Sequence, residues 1–213
     1  MELEDSATEE ISFWDDIWFS PLKTVAYVIK YDINTKLFYL FIYVSSVIFA
    51  LNNASSESLG DSFELSTILL LSIFIGGLGG LITHQYYVFI LNLSCNWIGG
   101  EGTFKSTRIA YSFSFYPSLI AIPIIIFEII LFGNEIFSSH TPSIDNNSIS
   151  KALFSIFIGS QFIIGVLQLI LNLKFVSIAQ KIPPYKILFG HVIALVLTFA
   201  PFVLLGVLVR FLG

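Results

Sequence analysis

The stretch at residues 65–100, LSTILLLSIFIGGLGGLITHQYYVFILNLSCNWIGG, holds 36 residues and no charged side chain. A bilayer's hydrocarbon core is crossed by about 20 apolar residues, and no water-soluble domain needs a run of this kind. As one helix it would be roughly 50 Å long at about 1.5 Å per residue, too long for one upright crossing. Two crossings would need about 40 residues plus a turn. Four further apolar segments flank it. Residues 37–51 come before; residues 110–133 follow, bent by Pro117 and Pro123 and charged only at Glu128; residues 152–173 and 187–209 carry no charge.

Basic residues decide the number of crossings. With one long, tilted helix at 65–98, kinked near Gly76 and Gly80, the connections alternate in content. Lys23, Lys30 and Lys36 precede the first span, Lys105 and Arg108 separate the second from the third, and Lys174, Lys181 and Lys186 separate the fourth from the fifth. Residues 52–64 and 134–150 hold no Lys or Arg. Under the positive-inside rule this predicts an all-α polytopic membrane protein with five transmembrane helices, at about 36–53, 65–98, 110–133, 151–173 and 186–210. The N-terminus is expected in the cytoplasm and the C-terminus outside. Two crossings within 65–100 would carry Lys105 and Arg108 to the wrong side.

Seven of the fifteen acids precede residue 17, ahead of the first basic residue, so the net charge of -5 is largely local. Residues 1–15 read as an acidic, disordered cytoplasmic tail and 16–213 as the membrane domain. An acidic chain without a basic cluster is a poor nucleic-acid binder. The first apolar segment stands behind acids instead of a basic leader, so a retained span is expected. The single cysteine, Cys95, rules out an intrachain disulfide and reads as a small buried hydrophobe.

In Ser20-Pro21-Leu22-Lys23, Ser20 can cap a helix whose first residue is Pro21. Leu22, Val25, Ala26 and Ile29 then share one face. Trp14 and Trp18 lie one turn apart just upstream, and Trp favours the headgroup layer. An N-terminal interfacial amphipathic helix is expected within residues 11–31; a lead-in helix packed on the bundle stays open.

Small and polar residues carry helix association in lipid. Gly76, Gly80 and His84 share one face of the second span; Gln161, Gly165, Gln168 and Asn172 share one of the fourth; His191, Ala194, Thr198 and Pro201 one of the fifth. The stripes predict that spans two, four and five face one another. In the expected topology His84, Gln168, Asn172 and His191 form an intramembrane polar cluster in the cytoplasmic half. The outer half is mostly apolar, with Glu128 near the outer surface. Packing explains the cluster most simply; a cavity open to the cytoplasm is the functional alternative. A polar route that stops halfway argues against a through-pore and against lipid scrambling, which needs a groove reaching both leaflets. Two histidines without a neighbouring Cys, Asp or Glu are too thin a set for a metal.

No catalytic motif emerges, and no cofactor is implied. No His pair one turn apart encloses a Glu, and Gly99-Gly100-Glu101-Gly102 lacks the Lys-Ser/Thr of a phosphate loop. Ser160 and His191 fall at different depths, which discourages intramembrane acyl transfer. The chain reads as a non-enzyme.

The segment Trp97-Ile98-Gly99-Gly100-Glu101-Gly102-Thr103-Phe104-Lys105, followed by Tyr111 to Tyr116-Pro117, resembles the Yip (Ypt-interacting protein) family of five-span membrane proteins. Bacterial members end a long second span in a Gly-Gly-x-Gly-Ser/Thr-Phe turn before a Pro-led third span. The opening Trp18-Phe19-Ser20-Pro21-Leu22-Lys23-Thr24-Val25 is similar to the family's start. The likeness covers roughly residues 15–212. Gly99, Gly100 and Gly102 can end the long helix sharply, and Thr103 can cap the next piece. Lys105 and Arg108 are then left to meet anionic headgroups. In eukaryotic relatives the resemblance implies contact with prenylated Rab-type GTPases. Here the tail is short and their acidic-Leu-Pro-Pro segment is missing, which argues against that partner and for the bacterial branch.

Two functions stay open. One is a membrane organiser or adaptor whose cytoplasmic surface comprises Trp14, Trp18, Gly99, Gly100, Gly102, Lys105, Arg108 and the loop from Lys174 to Lys186. The other is a transporter component or small-molecule carrier using the pocket near His84, Gln168 and His191. The expected partners are the lipid bilayer and a protein on the cytoplasmic side, with self-association open. A bacterial inner membrane is the expected location, or an endomembrane in a eukaryote.

Overall fold

The computed structural model describes residues 12–31, 33 and 36–212, and the disorder expected of residues 1–10 lies outside them. Among the described residues the protein is all helix. Two short helices, α1 (Phe13–Phe19) and α2 (Pro21–Lys30), lead into α3 (Leu37–Ser56), so α1 begins inside the segment assigned above to the acidic tail. Then come α4 (Leu65–Leu71), a π-helical turn (Ser72–Gly76) and α5 (Gly77–Trp97), which together form one 33-residue rod. The third span is α6 (Phe104–Phe113) followed by α7 (Ser118–Phe132). A four-residue α8 (Pro142–Asp145) precedes α9 (Ser148–Gln180) and α10 (Pro184–Leu212). Among the described residues, five helical units are long and apolar enough to cross a membrane. We call the end bearing α2 and the Gly99–Gly102 turn the basic end.

Registers follow from close contacts between antiparallel rods. A Cβ on Gly76 would meet Ala50, and one on Gly80 would meet Ser46, so α3 lies directly against this face of the second span. Here the structure differs from the expectation that Gly76 and Gly80 turn toward spans four and five. Tyr43 explains the irregularity nearby. Its ring fills the space beside Gly77, and its hydroxyl donates to the Ile73 carbonyl at 3.0 Å. That side chain entering the helix ladder accompanies the π turn, which lies just ahead of the kink expected near Gly76 and Gly80.

The same register puts Leu37 level with about residue 89. The rest of α5 therefore overruns the 20-residue α3 at the basic end by about 12 Å. The overrun packs with α6 and α10, and beside it α2, α6 and the last turns of α9 meet around Val25, Phe113, Phe175 and Val176, all essentially buried. Ser20 does not cap α2 through its side chain; its carbonyl instead accepts from Thr24 Oγ1 at 3.1 Å. The buried face of α2 is Thr24, Val25 and Val28, while Leu22 stays exposed. Pro117 ends α6 early, and the chain passes through a tight turn before α7.

At the opposite end a smaller cluster of Leu51, Ile68, Ile125, Phe132 and Phe137 closes the bundle. Its loops are tied by polar contacts. Asn134 Nδ2 donates to Gly60 O at 2.9 Å, and the Ser139 N–H donates to Asp61 at 3.0 Å. The Ser139 contacts hold the Asp61 carboxyl below its ordinary range. Between the two clusters, residues such as Phe49, Ile75, Ile82 and Phe162 point outward, as lipid-facing side chains do.

Candidate functional site

The polar seam forms where α5, α6, α9 and α10 meet. His191 Nε2 lies 2.7 Å from Asn172 Oδ1, which can only accept, so this nitrogen carries the proton. Its Nδ1 then accepts from the Tyr87 hydroxyl at 2.8 Å. Asn172 Nδ2 donates onward to Ser114 Oγ at 3.0 Å, and Ser114 donates to Tyr111 O at 2.6 Å. His84 is reached from the other side. Ser112 Oγ gives its proton to Arg108 O at 2.6 Å, so His84 Nε2 donates to Ser112 at 3.0 Å. The Tyr111 ring lies 5.1 Å from the His84 ring and 6.1 Å from that of His191.

Four residues were expected to cluster, and the structure joins them unequally. Asn172 and His191 touch, whereas His84 belongs to a neighbouring branch reached through Tyr111. Gln168 stands apart, donating to Ser118 Oγ at 2.6 Å. Sequence stripes on spans two, four and five missed the elements between them. Ser112, Ser114 and Ser118 sit on the third span, which shows no comparable stripe because its acceptors straddle the Pro117 break. Buried polar groups need partners, and that demand was the available signal.

A groove of about 510 Å³ opens beside this seam, between α3 and α5. Ser45, Ser46, Asn53, Thr83, His84 and Tyr87 give it polar lining. It runs from His84 to Asn53, near the far end of α3, so polar groups reach further from the basic end than the sequence reading allowed. The seam's histidine nitrogens are largely committed; among the described residues His84 Nδ1 has no hydrogen-bond partner. Among the described residues no three His, Cys, Asp or Glu side chains converge as a metal-ligand set.

The second place is the turn after α5. Gly99 adopts φ +94°, which favours glycine. Gly100 and Gly102 serve close approach: a Cβ on either would collide with Gln180. Gln180 is fully buried; its Oε1 accepts from the Gly102 N–H at 3.1 Å and its Nε2 donates to Thr107 Oγ1 at 2.7 Å. The Asn92 carboxamide lies 2.8 Å from both Thr107 Oγ1 and Gln180 Nε2, and Glu101 N–H donates to Gln180 O at 2.9 Å. Thr103 caps α6 through a reciprocal pair with Ser106, at 3.1 and 3.0 Å. The segment after Lys174 is thus helix as far as Gln180, and the loop there shrinks to residues 181–183. Gly100 and Gly102, both half-buried, shape the turn from inside.

The remaining surface residues divide. Trp14 is half exposed, and Trp18 packs edge-on against Tyr116 at 4.9 Å. Lys105 is exposed. Arg108 is drawn inward, its guanidinium 5.4 Å from the Phe38 ring and 5.8 Å from that of Phe104. Across the turn, Lys181 Nζ pairs with Glu101 at 3.4 Å, both exposed, so the pair contributes little.

The family model described as the Yip1 domain matches residues 16–207. No curated protein and no solved structure matches the chain.

Proposed function

The chain belongs to the Yip1 domain family, and from that premise we propose that it is a non-enzymatic membrane organiser or adaptor working through its basic end, in the cytoplasm. It is an integral membrane protein with five spans. The observation that carries the proposal is a contrast in how polar groups are used. Along the seam, donors and acceptors close on one another, leaving little chemistry to offer a substrate. The exposed Trp14, Trp18 and Phe19 and the Lys105 side chain sit instead on one end, where aromatic and basic groups together suit an interfacial or protein contact. Alternating basic connections support a cytoplasmic basic end and a bacterial inner membrane as its location. The missing acidic-Leu-Pro-Pro segment speaks against a Rab-type GTPase as the partner.

Crosslinking in native membranes followed by mass spectrometry tests this. One stoichiometric partner is expected, lost in a Trp14→Ala, Trp18→Ala double variant that keeps its helix content. Unchanged crosslinks would refute the working surface. The groove beside His84 favours a second reading, a small-molecule carrier. Substrate-dependent flux in proteoliposomes that disappears with His84→Ala would establish it at the expense of the adaptor.

A further inference from the structure

Apart from Glu128, no acid lies within α3, α4, α5, α6, α7, α9 or α10. Glu128 is only 6% exposed. Burying a carboxylate is costly unless a proton or a cation neutralises it. Gln161 Nε2 donates to its Oε2 at 2.9 Å, and among the described residues no basic side chain pairs with it. The carboxylate lines a cavity of about 410 Å³ between α3, α7 and α9.

The cavity's surroundings suit a cation as the neutralising group. Asn52 and Gln161 line it and supply further oxygen acceptors, and Asn52 also has amide donors. Its wall on α9 includes Ile158 and Phe162, which are 52% and 72% exposed on the outside of the bundle. The mouth therefore opens sideways, where acyl chains run. Glu128 stands four residues before the end of α7, about 6 Å along the axis, toward the end of the bundle closed by the smaller apolar cluster.

We propose that this cavity binds the primary ammonium of an ethanolamine phospholipid, with Glu128 and Gln161 accepting its N–H groups and Asn52 donating toward its phosphate. A quaternary choline group offers no N–H, and phosphatidylglycerol offers no cation. The site lies at the end opposite the surface in the functional proposal and does not depend on it.

The test is native mass spectrometry of the full-length protein. It is first equilibrated in detergent with equal phosphatidylethanolamine, phosphatidylcholine and phosphatidylglycerol, then partly delipidated. Retention of the ethanolamine lipid should exceed that of either other lipid by about tenfold, the scale of a charged hydrogen bond. Glu128→Gln, a neutral isostere that keeps a polar partner for Gln161, should erase the preference. Ile158→Trp should erase it too, by narrowing the mouth while leaving the carboxylate in place. Equal retention of all three lipids, or a preference that survives Glu128→Gln, would overturn the proposal. So would free ethanolamine displacing the lipid at matched concentration, which would make the occupant a soluble amine.

Discussion

Gln180 at the basic end and Glu128 toward the opposite end are both deeply buried polar side chains, yet they are built in differently. Gln180 is held by Gly102 and Thr107 with Asn92 alongside, and the glycine turn folds around it. Glu128 has Gln161 and a cavity. A buried amide can be satisfied entirely by its own chain; a buried carboxyl must in addition take up a proton or a counter-charge. The comparison extends to the apolar packing. Around Gln180 the helices overrun α3 and build the larger cluster, while toward Glu128 the cluster is smaller and the loops carry much of the closure. One end is made for rigidity and the other keeps room for a guest.

Variants can break that contrast, beginning with the largest effect. Phe175→Ala, at a fully buried position of the larger cluster, should cost about 3–5 kcal/mol by analogy with soluble cores. Phe49→Ala, on the lipid-facing surface, should stay within about 0.5 kcal/mol. Reversible unfolding in bicelles reads both, and equal losses would dissolve the distinction between a packed end and a lipid-facing middle. Gly102→Val would press a side chain onto the Ala179 carbonyl and Gln180 and should cost about 1–3 kcal/mol. Gln180→Leu removes the hub and strands the Gly102 N–H; a loss of about 1–3 kcal/mol is expected. Its signature is faster amide exchange at residues 99–103 with the far loops unchanged.

The smallest effect sharpens the picture of the other end. Because Ser139 depresses the folded Asp61 carboxyl, its contribution is present above the unfolded value near pH 4. It fades as pH falls through the lower folded value. Asp61→Asn should flatten that acid limb in a thermal-melt series, while the wild-type midpoint declines; parallel curves would assign the loss to other groups.

Span number was legible because charge-free runs and alternating lysines are properties of the chain itself. Which faces meet was not. Gly76 and Gly80 are small enough to admit any helix, and only Ala50, Ser46 and the Tyr43 ring decide that α3 comes closest. The glycine turn was readable at Gly99, where φ is positive. The role of Gly100 and Gly102 depended on Gln180, a residue 78 positions beyond Gly102 and flanked by lysines that made it look like loop. Arg108 was ambiguous for a related reason: a basic residue beside lipid can reach headgroups or stack on rings, and the nearness of Phe38 shows the second contact without deciding the first.

The cytoplasmic placement of the basic end is tested most directly by single cysteines. In a Cys95→Ala background, Lys105→Cys and Glu57→Cys are exposed in intact cells to a maleimide that cannot cross lipid. The expected result is labelling at position 57 at once and at position 105 only after permeabilisation. Labelling of both positions from the same side, or of position 105 first, would contradict it.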